Sequence, residues 1–255
     1  MIETALGLRG AFTAPHRMAT KIGADVLESG GCAIEAMVAA AAAIAVVYPH
    51  MNGIGGDGFW IIRHKGKAPV AISACGQAAG LATPAWYAAL GHTQSIPARG
   101  ARAALTVPGT VGGWQAALDL RLGGNVIPMS DLLSPAIRLA KTGIAVTRNQ
   151  SETTAEKIGG LQTVPGFAPV YLNNDAAPDT GSKMVQTALG NTLQFIADTG
   201  INAFYRGDIA ATHGRFLEEQ GSPLRLGDFQ TYRAEVQKPL EISTSLGALY
   251  NLGAP

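Results

Sequence analysis

The longest hydrophobic segment of the chain lies at residues 33–47, where almost every position is apolar and alanine predominates. A helix without a polar stripe is expected to be buried on all sides. With fifteen residues, and with Glu35 in its first turn, it is too short for a membrane span. Four glycines follow within residues 53–58, and an apolar strand begins near Phe59. The pattern therefore predicts a core helix, a tight loop and a strand.

The glycine-rich loop at residues 53–58 has two interpretations. Glycine loops that hold phosphate follow a strand and open a helix, so that the helix N-terminus faces the anion. Here the helix comes first and the strand follows, which is the reverse order. We favour a structural turn, in which glycine allows close approach of the backbone to another element.

The remaining periodicity predicts alternating helices and strands. Helices are expected at residues 15–30, 83–90, 111–122, 130–142, 187–200, 208–221 and 226–233, with one more inside the polar stretch 149–180. Strands are expected at residues 8–14, 59–64, 68–73, 104–107, 240–245 and 248–252. Thr83 and Ser130 are the expected N-caps of their helices. This pattern indicates an α/β enzyme-like domain.

The composition of the chain limits the kinds of molecule that it is expected to bind. The chain has 255 residues, of which 47% are hydrophobic and 15% charged, and its net charge is +1. Such a balance supports a sizeable core and argues against nucleic acid, which requires a clustered basic face. The N-terminal sequence has no basic stretch followed by an apolar run, so we expect a cytoplasmic protein that does not bind a membrane.

No complete catalytic motif is visible in the sequence, and the spacing of the two cysteines and five histidines predicts no metal site. The best candidate segment is the strand exit at residues 73–79, because ligand-binding groups favour loops carried by a sheet, although a plain turn is equally compatible. Cys75 there is either a nucleophile or, more commonly, a small buried thiol. Arg99 and Arg102 are either a carboxylate clamp or solvated surface groups. His16 is expected near the start of the first helix rather than in a catalytic site.

Several ordered motifs carry a family resemblance. They are GGCAIEA (30–36), VYPHMNGIGGDGF (47–59), VPGTVGGW (107–114), LLSPAIRLA (132–140) and FYRGDIA (204–210), followed by Asp228-Phe229 and Tyr232-Arg233. Together these segments resemble the large subunit of the gamma-glutamyltranspeptidase family, which belongs to the N-terminal-nucleophile hydrolases. The resemblance extends over most of the chain and is far more specific than the glycine cluster alone.

The resemblance implies an α+β fold, a four-layer αββα sandwich to which residues 1–255 contribute a single domain, the large-subunit portion. It also implies a precursor that cleaves itself before a threonine, which then acts as base and nucleophile in acyl transfer from a small-molecule amide. That threonine would lie on the small subunit from the same precursor, the expected partner, so no catalytic residue is expected in this chain. No metal or cofactor is implied. The strand pattern just before Pro255, whose edge would remain unpaired, also suggests part of a larger unit.

The chain departs from the family pattern at the strand exit. Cys75 stands where the family's transpeptidases have an arginine that holds the glutamyl α-carboxylate, so the substrate-binding candidates are Cys75, Gly76, Gln77 and Arg102. One hypothesis is an amidohydrolase of the oxamate kind, which the missing arginine favours. A second is a gamma-glutamyl hydrolase or transferase in which Arg102 holds the carboxylate. A third is an unprocessed binding or scaffold protein.

Overall fold

The computed structural model describes residues 6–8, 10–122 and 126–254. The helices in these ranges are Arg17–Glu28 (α1), Ala33–Val47 (α2), Pro84–Ala89 (α3), Thr110–Asp119 (α4), Met129–Thr142 (α5), Arg148–Leu161 (α6), Phe167–Tyr171 (α7), Thr187–Thr199 (α8), Asn202–Arg206 (α9), Asp208–Glu219 (α10) and Leu226–Thr231 (α11). The strands are Gly58–Ile62 (β1), Val70–Ala74 (β2), Ile144–Ala145 (β3), Lys183–Met184 (β4), Glu235–Gln237 (β5), Leu240–Thr244 (β6) and Gly247–Asn251 (β7). A single 3₁₀ turn occupies Ala101–Ala103 in the same ranges.

Helix α2 forms the centre of the core. Val38, Ala39 and Val46 are fully buried, and α1 and α5 pack against the helix. Alanine side chains permit this close approach, because each adds little volume between neighbouring backbones. The prediction of burial on every side is wrong at one stripe, since Met37 is 43% exposed. The exposed stripe faces a groove beside β1.

Three antiparallel strands form the main sheet, in the order β1-β2-β5. Trp60 pairs with Ile72 and Phe59 pairs with Ser73, so alternate residues lie on opposite faces. Helix α4 covers the face that carries Trp60, because a Cβ placed on Gly113 would lie 3.0 Å from the Trp60 Nε1 atom. Phe59 on the opposite face is 52% exposed, so that face is only partly covered.

The hairpin of β6 and β7 leaves a second apolar surface open. Leu240 pairs with Asn251 and Thr244 pairs with Gly247, and the turn lies between them. The open side chains, each at least 60% exposed, are Leu240, Ile242, Leu246 and Leu249. Isolated hairpins are only marginally stable in water, so this surface is suited to contact with another element.

Two predicted strands are wrong. In the stretch 8–14 no described residue is in a strand, and Arg9 lies outside the described residues. Thr20 Oγ1 accepts the Ala14 N–H and donates to the Ala14 carbonyl, so this segment is tied to α1 instead of a sheet. In place of the strand predicted at 104–107 there is only an isolated bridge from Thr106 to Ala78.

Several helix boundaries also differ from the predictions. Helix α5 begins at Met129 after Pro128, and Ser130 is not its N-cap. The polar stretch 149–180 contains α6 and α7 instead of one helix. Helix α9 and strand β5 were not predicted, because each is too short to show a period.

One predicted N-cap is confirmed, and His16 lies at the start of α1 as expected. Thr83 Oγ1 accepts the Trp86 N–H at 3.1 Å. His16 Nδ1 accepts the Met18 N–H at 3.2 Å, so this histidine is the N-cap of α1. No helix within the described ranges is both long enough and apolar enough to cross a bilayer.

Candidate functional site

The exit of β2 crosses directly over the segment that leads into α4. A Cβ placed on Gly76 would lie 1.4 Å from the Val107 carbonyl oxygen. The Val107 N–H donates to the Gln77 carbonyl at 3.1 Å, which ties the two segments together. No side chain fits at position 76, so the backbone itself lines this part of the surface.

The glycine-rich loop is bound to the start of α4. The Gly56 carbonyl accepts the N–H groups of Gly109 and Thr110, both at 2.9 Å. Thr110 Oγ1 donates to the Asp57 carbonyl at 2.7 Å. The loop carbonyl thereby occupies donors that would otherwise be free at a helix N-terminus. The geometry is that of a packed turn, not of a phosphate cradle.

Two buried tyrosines hold the same segment from beneath. The Tyr205 hydroxyl accepts the Gly112 N–H at 2.8 Å and donates to the Pro108 carbonyl at 2.7 Å. The Tyr232 hydroxyl donates to the Gly109 carbonyl at 3.1 Å. Burial raises the pKa of both phenols well above the ordinary value, so both are neutral. These tyrosines were not among the predicted site residues, although both belong to the motifs of the family resemblance.

Cys75 lies beside a carboxylate. Burial first, and the charge of Asp57 second, raise the pKa of the Cys75 thiol. The thiol is therefore protonated at neutral pH, which is the opposite of an activated nucleophile. Asp57 Oδ1 accepts the Gly76 N–H at 3.3 Å. Asp57 was not predicted as a site residue, and an acidic side chain inside a glycine-rich loop is the signal that could have found it.

The four predicted binding residues are not joined by hydrogen bonds into one set within the described ranges. Cys75, Gly76 and Gln77 are consecutive at the strand exit, where Gln77 Nε2 donates to the Asp228 carbonyl at 3.2 Å. Arg102 instead has its Nη1 atom 3.1 Å from His92 Nε2. Within the described ranges, no hydrogen bond joins the Arg102 guanidinium to residues 75–77.

An apolar groove adjoins this strand exit. It has a volume of about 320 Å³, and Asp57 and Thr110 are among the residues that line it. Its apolar wall comprises Met37, Ile44, Met51, Phe59 and Trp60. In the described parts of the chain, no three His, Cys, Asp or Glu side chains gather as a metal site would require.

The motifs, the fold and this site agree with one family. The profile of the gamma-glutamyltranspeptidase family matches residues 19–255, and the chain belongs to that family. It is 46% identical to the oxamate amidohydrolase proenzyme of Klebsiella pneumoniae subsp. pneumoniae, in an alignment that covers the whole chain and 48% of that protein. It is 35% identical to the glutathione hydrolase-like YwrD proenzyme of Bacillus subtilis, in an alignment that covers 94% of this chain and 45% of that protein.

A solved structure gives the same result. The Helicobacter pylori gamma-glutamyltranspeptidase aligns with a TM-score of 0.91 and 29% identity, over 98% of this chain and 72% of that one. The family resemblance and the α+β fold of the N-terminal-nucleophile hydrolase type are thereby confirmed. The chain spans about half the length of the curated relatives that it matches.

Proposed function

We propose that this chain is the large-subunit portion, a single domain, of a self-processing hydrolase that cleaves a small amide of the oxamate kind. The small subunit from the same precursor supplies the N-terminal threonine, whose hydroxyl attacks the amide carbonyl. The C–N bond breaks, the nitrogen takes up the hydroxyl proton and leaves as ammonia, and water then hydrolyses the acyl-enzyme to release the acid and the free threonine. No catalytic residue is placed in this chain, and no cofactor takes part. A cytoplasmic location belongs to the same proposal.

The observation that carries the choice of substrate is the charge at the strand exit. Burial first, and the charge of Asp57 second, raise the pKa of the Cys75 thiol, and Asp57 also accepts the Gly76 N–H. In the described ranges, no guanidinium or ammonium group is hydrogen-bonded to residues 75–77. A gamma-glutamyl donor carries an α-carboxylate several carbon atoms from the reacting amide, and this carboxylate needs a cationic partner. An acidic strand exit is unfavourable for such a group.

Oxamate has a different shape. Its carboxylate is bonded directly to the amide carbon, so it stays beside the reacting centre and needs no cationic partner farther away. In this proposal Cys75, Gly76 and Gln77 line the part of the site that the glutamyl chain of a longer donor would occupy. The 46% identity to an oxamate amidohydrolase proenzyme, compared with 35% to a glutathione hydrolase-like one, supports the same choice.

The open apolar surfaces support the proposed partner. Phe59 and Ile61 on the sheet are 52% and 43% exposed, and Ile242 on the hairpin is 64% exposed. Extended apolar patches of this kind are typical of contact surfaces. In the proposal the small subunit packs on them and completes the sheet sandwich.

Steady-state kinetics with the full precursor test the substrate. We expect kcat/KM for oxamate to exceed that for gamma-glutamyl-p-nitroanilide by at least about a hundredfold, since losing the charge partner weakens carboxylate binding. Strong turnover of gamma-glutamyl-p-nitroanilide alone would support the gamma-glutamyl alternative. Absence of turnover, together with an unprocessed chain, would support the scaffold alternative.

A further inference from the structure

A second cavity, of about 290 Å³, lies beside the C-terminal half of α4. The rings of Tyr205 and Tyr232 line it, and the hydroxyls of the same residues bind Pro108 and Gly109. Its charged residues come from three separate segments, namely Asp119, Arg206 and Arg233. The proposed reaction uses none of them.

Two guanidinium groups meet at this cavity. Arg206 Nη2 and Arg233 Nη1 both donate to the Tyr232 carbonyl, at 2.9 Å and 2.7 Å. Among the described residues, neither arginine has a carboxylate within 4.0 Å. Like charges this close repel each other, and a shared anion removes the repulsion. Each guanidinium has five N–H donors, so donors remain for such an anion.

The opposite charge lies on another part of the cavity lining. Asp119 is the last residue of α4, at the end of the helix where the dipole disfavours a carboxylate. Gln115 Nε2 donates to Asp119 Oδ1 at 2.8 Å. A second oxygen is left for another donor. An ammonium group there would offset both the negative charge and the unfavourable helix dipole.

We propose that this cavity binds a free α-amino acid. The carboxylate binds Arg206 and Arg233, and the ammonium group binds Asp119. A volume of about 290 Å³ is at the small end of the range for ligand pockets, which favours a short side chain. This inference does not depend on which amide the enzyme cleaves.

Titration calorimetry on the full, processed enzyme tests the site with three probes. L-Alanine carries both charged groups, acetate only the carboxylate and ethylamine only the ammonium. We expect saturable binding of L-alanine, with acetate and ethylamine each at least about tenfold weaker, because each loses one charge-assisted contact.

Variants then assign the contacts. We expect Arg233→Gln to weaken L-alanine binding at least about tenfold, and Arg233→Lys to weaken it less because the charge remains. Asp119→Asn should weaken L-alanine binding while leaving acetate binding equal or tighter. Arg215→Gln, at an exposed arginine of α10 outside the cavity, is the matched control and should bind as the wild type does.

Two results would overturn the proposal. One is the absence of saturable L-alanine binding to the wild-type enzyme. The other is unchanged L-alanine affinity in Arg233→Gln, which would place any amino-acid binding elsewhere. The thermal unfolding midpoint of each variant shows whether weaker binding reflects loss of ligand contacts or loss of the fold. The acetate comparison in Asp119→Asn is an independent test, because that variant leaves both arginines unchanged.

Discussion

Asp57 Oδ1 accepts the backbone N–H of Gly76 at 3.3 Å, and this bond joins the glycine-rich loop to the exit of β2. The two residues are far apart in the sequence, and both lie beside the thiol of Cys75. In the proposed function, this carboxylate lies where the α-carboxylate of a gamma-glutamyl substrate would need a cation. The charge of Asp57 and the identity of residue 75 should therefore act on specificity together.

The first prediction concerns that coupling. We expect Cys75→Arg alone to add little activity on gamma-glutamyl-p-nitroanilide, because Asp57 pairs with the new guanidinium. In the double variant Cys75→Arg with Asp57→Asn, kcat/KM for that substrate should rise about tenfold above the single variant.

Asp57→Asn alone is the control, and it should add no gamma-glutamyl activity. Steady-state rates of all four proteins complete the double-mutant cycle. Equal effects of Cys75→Arg with and without Asp57 would contradict the coupling.

The sequence predicts best those elements of the fold whose local pattern of apolar residues matches their burial in the structure. The apolar run of α2 and the hairpin of β1 and β2 follow directly from residue pattern. The strand exit at residues 73–79 is a candidate because it follows a strand, and the family resemblance then singles out Cys75, Gly76 and Gln77 within it. Their roles in binding stay a prediction.

The two tyrosines that support the segment beside the strand exit could not be predicted from the residue pattern. Tyr205 and Tyr232 reach Pro108 and Gly109 from about a hundred residues away in the chain, and no local period reports such a contact. Residues 8–14 show the reverse failure, because a strand-like pattern forms no ladder unless a partner strand is present.

The close approach of β2 to α4 gives a second prediction. A Cβ on Gly109 would lie 1.9 Å from the Ala74 carbonyl oxygen. The φ of Gly109 is −89°, which any residue adopts, so the whole cost of Gly109→Ala comes from overlap. We expect a loss of about 3 kcal/mol or more in the free energy of unfolding of the full enzyme.

The matched control for that change is Gly160→Ala. Gly160 lies inside α6, and a Cβ there would meet nothing within 4 Å. Alanine is the better helix former, so this variant should gain up to about 1 kcal/mol. Denaturant unfolding of both variants measures the difference, and equal stabilities would be incompatible with the packing described.

The third prediction isolates the Tyr205 hydroxyl. Tyr205→Phe removes the acceptor of the Gly112 N–H and the donor to the Pro108 carbonyl. Leaving these backbone groups without a partner should cost about 1–3 kcal/mol of unfolding free energy. Tyr250→Phe is the control, since among the described residues its hydroxyl bonds only to an exposed Glu241. A stability change no larger than that of the control would show that the Tyr205 bonds contribute nothing.

The fourth prediction concerns acid stability. Burial alone would raise the pKa of Glu35, but N–H groups of Cys32 and Ile127 donate to its carboxylate, and the net pKa lies below the ordinary value of 4.5. A depressed carboxylate pKa stabilises the fold above the unfolded-state value. That stability is lost as the pH falls through the folded-state pKa.

Glu35→Gln removes this titration. We expect it to cost about 1–3 kcal/mol of unfolding free energy at neutral pH and to flatten the dependence of stability on pH below about 4.5. Chemical denaturation across pH 3–7 provides the measurement, with Glu28→Gln in the exposed end of α1 as the control. Parallel pH curves for Glu35→Gln and the wild type would contradict the assigned role.

In the proposed function, this chain forms one half of a hydrolase, and the reacting hydroxyl lies on the other half. The intact mass of the purified full-length gene product tests it most directly. We expect two polypeptides that co-purify, the larger containing this chain and the smaller beginning with threonine. A single uncleaved polypeptide that still hydrolyses amides at full rate would contradict it.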